Sequence, residues 1–259
     1  MTPQLELCAD EVRPLLGENT DFTVVGVLGC QGVGKSTIMS LLAGAGWRGG
    51  GSDAAADTAA DSMAGGGAEL ANPPFPPNPP EAWARGAHGT SGVDVQVTAE
   101  RLILLDTQPL LSASLLLSMT GSPVPPSVHS HENLLEVQAL QLCALLLSVC
   151  HVVLLVQDAA ADEGLWSSAA AGMPSASEPP LVFALPCASE RAPTSSHAGY
   201  RHEAEQLRDA VLGLPRRPFA RSLSERDWLR GVVKLWELVR RSPTLDEYNR
   251  ATHKLHQWA

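Results

Sequence analysis

The sequence predicts an α/β fold built on a mostly parallel sheet. Three observations point there. Residues 22–28 form an apolar, β-branched run that leads through a glycine-rich turn into a helix. Two further runs, 101–106 and 151–157, are apolar without alternation, as strands covered on both faces are. Helical patterns separate these runs, which is the order of a layered parallel sheet.

Each element has its own signal. Residues 5–16 form a short amphipathic stretch within an N-terminal lead-in over 1–21. In the helix over 36–42, Ile38, Met39, Leu41 and Leu42 recur on one side. Residues 93–97 alternate Val-Asp-Val-Gln-Val, the pattern of a half-buried edge strand, and join 101–106 through a tight turn at 98–100. Prolines 109, 123, 125 and 126 mark a loop before a helix over 132–149. Residues 181–185 are the last strand candidate, followed by a helix near 202–212. This domain spans 22–223, and a helical segment over 224–259 packs on it. Ser224-Glu-Arg-Asp227 resembles a capping box, with Trp228, Val232, Leu235, Trp236 and Val239 on one helix face. Thr244 caps a final helix carrying Leu245, Tyr248, Leu255 and Trp258.

Two stretches are of low complexity. Residues 44–88 contain 9 Gly, 6 Pro and 12 Ala among 45 residues, too little apolar surface to offset chain entropy, so a disordered insert is expected. Residues 159–180 read as a second flexible connection.

Composition narrows the function. The net charge is −10, with 28 acidic against 18 basic residues, which disfavours direct binding to nucleic acid or anionic membrane. Five cysteines without a CxxC suggest neither disulfides nor zinc, and reduced thiols fit the cytoplasm, or the nucleus also. Residues 137–157 hold no formal charge and could span a bilayer by length. Gln138, Gln141, Ser148 and His151 interrupt them, and the stretch reads as a buried helix running into a strand.

Gly29-Cys-Gln-Gly-Val-Gly-Lys-Ser36 fits G-x-x-x-x-G-K-[ST] at every fixed position, between a strand and a helix. This is the P-loop NTPase arrangement. Backbone N–H groups across Gly29, Gln31, Gly32, Val33 and Gly34 would cradle phosphate oxygens, aided by the helix N-terminus. Lys35 would face the β- and γ-phosphates. Ser36 would offer its hydroxyl to Mg2+, and Thr37 would touch the α-phosphate. Asp106, at a strand end, is the expected magnesium carboxylate. Thr90, after the insert and before the edge strand, is the expected switch threonine for nucleotide and metal.

With Thr90-Ser-Gly-Val93 and Leu104-Leu-Asp-Thr107, this motif resembles the G domains of dynamin-like and guanylate-binding proteins. A closer resemblance is to the SMG-nine family of nonsense-mediated mRNA decay subunits. It is carried by residues 20–37, 90–94, Leu105-Asp-Thr-Gln-Pro109, Val149-Cys-His-Val-Val153 and the tail 228–248. The resemblance implies a G-domain-like fold with the insert in its switch I region. It implies a regulatory or scaffold subunit that pairs with an SMG-eight-like subunit and tunes an SMG-one-like kinase. It also implies that Lys35, Ser36, Thr90 and Asp106 hold Mg2+ with a purine nucleotide.

The departures bear on nucleotide and activity. Asn-Lys-x-Asp, the base pocket of G proteins, is absent at 185–188, which leaves GTP/GDP and ATP equally admissible. The family has two strands beyond 151–157 and one is found here, so 181–185 could correspond to its last. Leu110 stands where a water-orienting glutamine follows Asp-x-x-Gly, and Pro109 lacks the N–H that senses a γ-phosphate. A nucleotide kept as structural support is the expected state, and an active GTPase or ATPase switch is the alternative.

Overall fold

The computed structural model describes residues 9–45, 72–126, 128–157, 181–184, 197–214, 216, 219 and 223–256. The strands are β1 (Thr23–Gly29), β2 (Val93–Val97), β3 (Leu102–Thr107), β4 (Val152–Val156) and β5 (Leu181–Ala184). They form one mixed sheet in the order β2-β3-β1-β4-β5. β1 runs parallel to β3 and β4, β4 parallel to β5, and only β2 pairs antiparallel, with β3. Every residue of β1, β3 and β4 is buried, whereas β2 alternates half-buried and exposed positions. The uniformly apolar runs are therefore the central strands and the alternating run is the edge. β5 pairs directly with β4 and forms the edge opposite β2, so no strand stands between β4 and residues 181–184.

The helices are α1 (Ala9–Val12), α2 (Lys35–Leu42), α3 (Pro80–Ala84), α4 (Ala113–Met119), α5 (His131–Val149), α6 (His197–Gly213), α7 (Glu225–Arg240) and α8 (Pro243–His256). On one face of the sheet, Met39 and Leu42 of α2 pack with Val25, Val27, Leu104 and Val211 of α6. On the other, Leu142, Leu146 and Val149 of α5 meet Trp228, Val232 and Trp236 of α7. α5 is long and apolar enough to cross a membrane, yet 61% of that window is buried against protein.

Caps place several ends where expected. Ser130 accepts from Asn133 N at the start of α5, and Ser224 accepts from Asp227 N at the start of α7. The last helix begins one residue before the expected Thr244 cap, with Pro243 at its first position, where a missing N–H costs nothing. The loop expected after Pro109 contains α4, capped by the Ser112 hydroxyl accepting from Ser114 N.

The proline-rich end of the expected disordered insert is ordered. Residues 46–71 lie outside the described residues, as do 158–180, but 72–88 pack on the domain. Phe75 is only 1% exposed and sits among Met39, Leu42 and Val211. Its N–H donates to Ser40 Oγ (3.1 Å), and its carbonyl accepts from the same hydroxyl (2.9 Å). One aromatic inserted in the core, with its backbone satisfied, offsets the poor composition around it.

His151 joins β4 to β1 through both ends. Its N–H donates to Val24 O and its ring Nδ1 accepts from Val24 N, each at 2.9 Å. The ring lies against Phe22 and Phe219. Burial, with the nearby Arg216 cation adding to it, lowers its pKa from 6.5 to about 4. Between those values the unfolded chain binds more protons, so stability rises with pH there. The contribution is complete above about pH 6.5 and falls by up to about 3 kcal/mol as pH drops towards 4. Urea unfolding at pH 7 and 4.5 should show a larger loss for the native chain than for His151→Asn. An equal loss would mean that this ring does not titrate on unfolding.

Candidate phosphate-binding site

β1 sits where the sheet reverses, between β3 and β4, and the carboxyl ends of β1 and β3 open into one cavity. In open α/β sheets such a crevice is the usual ligand position. The cavity measures about 470 Å³ and is lined by Gln31, Gly32, Gly34, Lys35, Ser36 and Thr37, with Thr90 opposite.

The loop's backbone explains its glycines. Gly32 and Gly34 have φ of +85° and +87°, the left-handed region that side chains resist. At Gly29 a Cβ would lie 2.3 Å from the Val156 carbonyl oxygen, so the close approach of β4 requires its absence. Val33 turns inward and is 2% exposed, anchoring the loop in the core below α2.

Lys35, Ser36, Thr90 and Asp106 come together from three segments. Ser36 Oγ donates to Asp106 Oδ2 at 2.6 Å and Thr90 Oγ1 donates to the same oxygen at 2.9 Å. The two hydroxyls are 3.3 Å apart. Lys35 is buried, and its Nζ donates to Cys30 O at 2.8 Å. Burial lowers its pKa from 10.5 to about 8, against the attraction of Asp106. Burial also raises the Asp106 carboxyl above its ordinary range, opposed by the Ser36 and Thr90 hydroxyls and by Lys35.

Asp106 Oδ1 is buried and has no hydrogen-bond partner. An orphaned carboxylate oxygen beside the Ser36 and Thr90 hydroxyls is an oxygen-only donor set. Magnesium, which binds through oxygen and keeps several waters, fits it. Residues expected singly from the motif thus converge here, with Thr37 on the cavity wall.

Other participants were not legible from the motif. Thr107 Oγ1 donates to Val27 O at 2.6 Å, tying β3 to β1 beside the loop. Gln108 is buried, and its Oε1 accepts from Gly92 N at 3.0 Å while its own N–H donates to Gly92 O at 2.7 Å. Leu110 N donates to Gly29 O at 3.0 Å. The turn after Asp106 is thus fastened to both the loop and the segment leading to β2. Pro76, Pro77, Asn78 and His88, from the ordered proline-rich stretch, line the cavity as well.

No family model matches the chain. The chain is similar to curated proteins named nonsense-mediated mRNA decay factor SMG9. It is 37% identical to that of Salmo salar over 165 residues, 63% of this chain and 29% of that protein. It is also 37% identical to that of Xenopus laevis over 159 residues, 61% of this chain and 28% of that protein. Protein SMG9 of Drosophila melanogaster is 35% identical over 161 residues, covering 57% of this chain and 26% of the fly protein. Homologues named SMG9 therefore occur in vertebrates and flies, and the chain spans less than a third of their length.

Proposed function

We propose that this chain is a nucleotide-binding, G-domain-like regulatory subunit of nonsense-mediated mRNA decay, with the P-loop fold its motif predicts. The observation that carries the nucleotide reading is that Lys35, Ser36 and Thr90 line one cavity while Ser36 and Thr90 both hydrogen-bond the buried, half-satisfied Asp106 carboxylate. Ser36 and Thr90 would hold the ion by their hydroxyls, and Asp106 would orient them and accept from ion-bound water at Oδ1. Lys35 would exchange the Cys30 carbonyl for phosphate oxygens, recovering in a salt-bridged contact the solvation that it loses on burial. A bound Mg2+ would supply charge neutralisation to a purine triphosphate or diphosphate, ATP or GTP/GDP.

Retention without turnover is favoured over an active GTPase or ATPase switch. Gln108 is the nearest glutamine to the expected water-orienting position; it is buried, and its carboxamide oxygen is committed to Gly92 N in a partly buried contact. Pro109, on the cavity wall, has no N–H to offer a terminal phosphate. Pairing with an SMG-eight-like subunit and regulation of an SMG-one-like kinase extend the reading by the resemblance to the SMG-nine family, and the cysteine usage favours the cytoplasm or the nucleus.

Native mass spectrometry of the purified chain, with chromatography of the released ligand, should find a purine nucleotide and identify its base. Absence of any nucleotide, with no calorimetric heat from Mg2+ and either triphosphate, would sink the binding claim. A single-turnover assay should show no cleavage beyond the Lys35→Ala background. For the partners, affinity capture from cell extract should recover both the SMG-eight-like subunit and the large kinase; loss of both would remove that part.

A further inference from the structure

The cavity has a second wall that no nucleotide motif describes. Residues 72–88 leave the core at Phe75 and return along the loop over 29–36. Asn78 Nδ2 donates to Ala87 O at 2.5 Å, closing this stretch on itself across α3. Its far end is held to the loop by one side chain: Gln31 Nε2 donates to Gly86 O at 2.8 Å. The other end of the same carboxamide is fixed by α4. Gln31 Oε1 accepts from Ser114 Oγ at 2.8 Å and from the Ser112 hydroxyl. Ser114 Oγ also lies 2.8 Å from His88 Nδ1, directly on the second wall.

Ser114 therefore joins the wall at two points, through Gln31 to Gly86 and directly to His88. It does not itself line the cavity, while Gln31 and His88 do. We infer that Ser114 is a positioning residue that latches residues 72–88 over the phosphate cavity, through Gln31 and His88, so that the latch sets how fast a bound nucleotide leaves. This rests on the nucleotide reading above. The physical reason is that the wall and the loop line the same cavity, so moving the wall off the loop removes one side of the ligand's enclosure. Opening breaks the Gln31–Gly86 bond and the Ser114–His88 contact together, whereas Phe75 stays anchored by Ser40 and acts as the hinge side.

The test compares the full chain with Ser114→Ala and Ser114→Thr. Dissociation of a fluorescent purine nucleotide analogue in Mg2+ should be about tenfold faster in Ser114→Ala, the size expected for one to two lost hydrogen bonds. Ser114→Thr, which keeps the hydroxyl, should restore the slow rate. Hydrogen exchange without nucleotide is the second readout. The amide of Ala87, which donates to Ala82 O at 2.9 Å, should exchange faster in Ser114→Ala. The amide of Phe75 should not change. Equal dissociation rates in all three chains would overturn the latch while leaving nucleotide binding intact. If the native chain binds no nucleotide, the binding reading fails, and unchanged Ala87 exchange in Ser114→Ala would then overturn the latch independently.

Discussion

Glu225→Ala is expected to destabilise the fold by about 3–5 kcal/mol, the range for stranding one partner of a buried ion pair. The Glu225 side chain is 0% exposed and pairs with Arg101, whose side chain is 32% exposed. Arg101 Nε donates to Oε1 at 2.5 Å and the guanidinium donates again to Oε2, a bidentate pair. Oε2 also accepts from Gly17 N at 2.7 Å. The carboxylate thus ties three separate places: the lead-in at Gly17, the β2–β3 turn at Arg101 and the first turn of α7. Backbone bonds reinforce the junction, with Glu225 N donating to Asn19 O and Arg226 N to Gly17 O. Alanine would leave the Gly17 N–H without its acceptor and the partly buried guanidinium without its counter-charge. Glu225→Gln keeps acceptor oxygens and should cost roughly half as much, since hydrogen bonds to charged groups exceed neutral ones by about twofold. Chemical denaturation of the three chains decides it. A loss under 1 kcal/mol in Glu225→Ala would show that the Arg101 pair only offsets its own desolvation.

That junction also shows what local sequence can and cannot carry. Ser224-Glu-Arg-Asp227 announces a helix start through residues three apart, and the helix is there. The role of Glu225 depends on Arg101, 124 positions away, and no periodicity links the two. The central strands were legible because burial on both faces writes an unbroken apolar run, and the β2–β3 hairpin because one-sided burial writes alternation. α4 was hidden: its Ser112 cap follows soon after Pro109, and proline outweighed the short Ala-Ser-Leu-Leu-Leu-Ser-Met pattern. The order of 72–88 was hidden for a different reason. Average composition over 44–88 describes a chain unable to fold, while a single Phe75, fully buried and bonded to Ser40, decides the placement of its end. The candidate site divides the same way. Gly29 to Ser36 are contiguous and constrained by backbone geometry, so their pattern is visible. The wall made by Asn78, Gly86 and His88, and the Gln31–Ser114 contact behind it, exist only after the sheet has brought separate segments to one edge.

Lys35→Met should separate stability from binding by moving them in opposite directions. In the free chain, Lys35 is 7% exposed, and its ammonium has one close carbonyl, Cys30 O, with Asp106 as the nearby anion. Its pKa falls to about 8, which says that burial disfavours the charged form despite Asp106. At pH 7 the lysine is charged in both folded and unfolded states, and the folded state bears the desolvation cost. As pH rises from about 8 to 10.5 the folded state releases its proton first, so the unfolded chain binds more protons and stability increases with pH. Methionine has similar length and no charge, so free Lys35→Met should be about 1–2 kcal/mol more stable than the native chain at pH 7. The rise between pH 8 and 10.5 assigned to Lys35 should vanish in the variant. Its affinity for Mg2+ with a purine triphosphate should nonetheless fall by on the order of 100-fold, the loss of charge-assisted bonds worth about 1.5–3 kcal/mol each. Urea unfolding across that pH range and calorimetric titration of both chains measure the two effects. A variant that is less stable and binds as tightly as the native chain would show Lys35 to be a structural tether of the loop rather than its phosphate ligand.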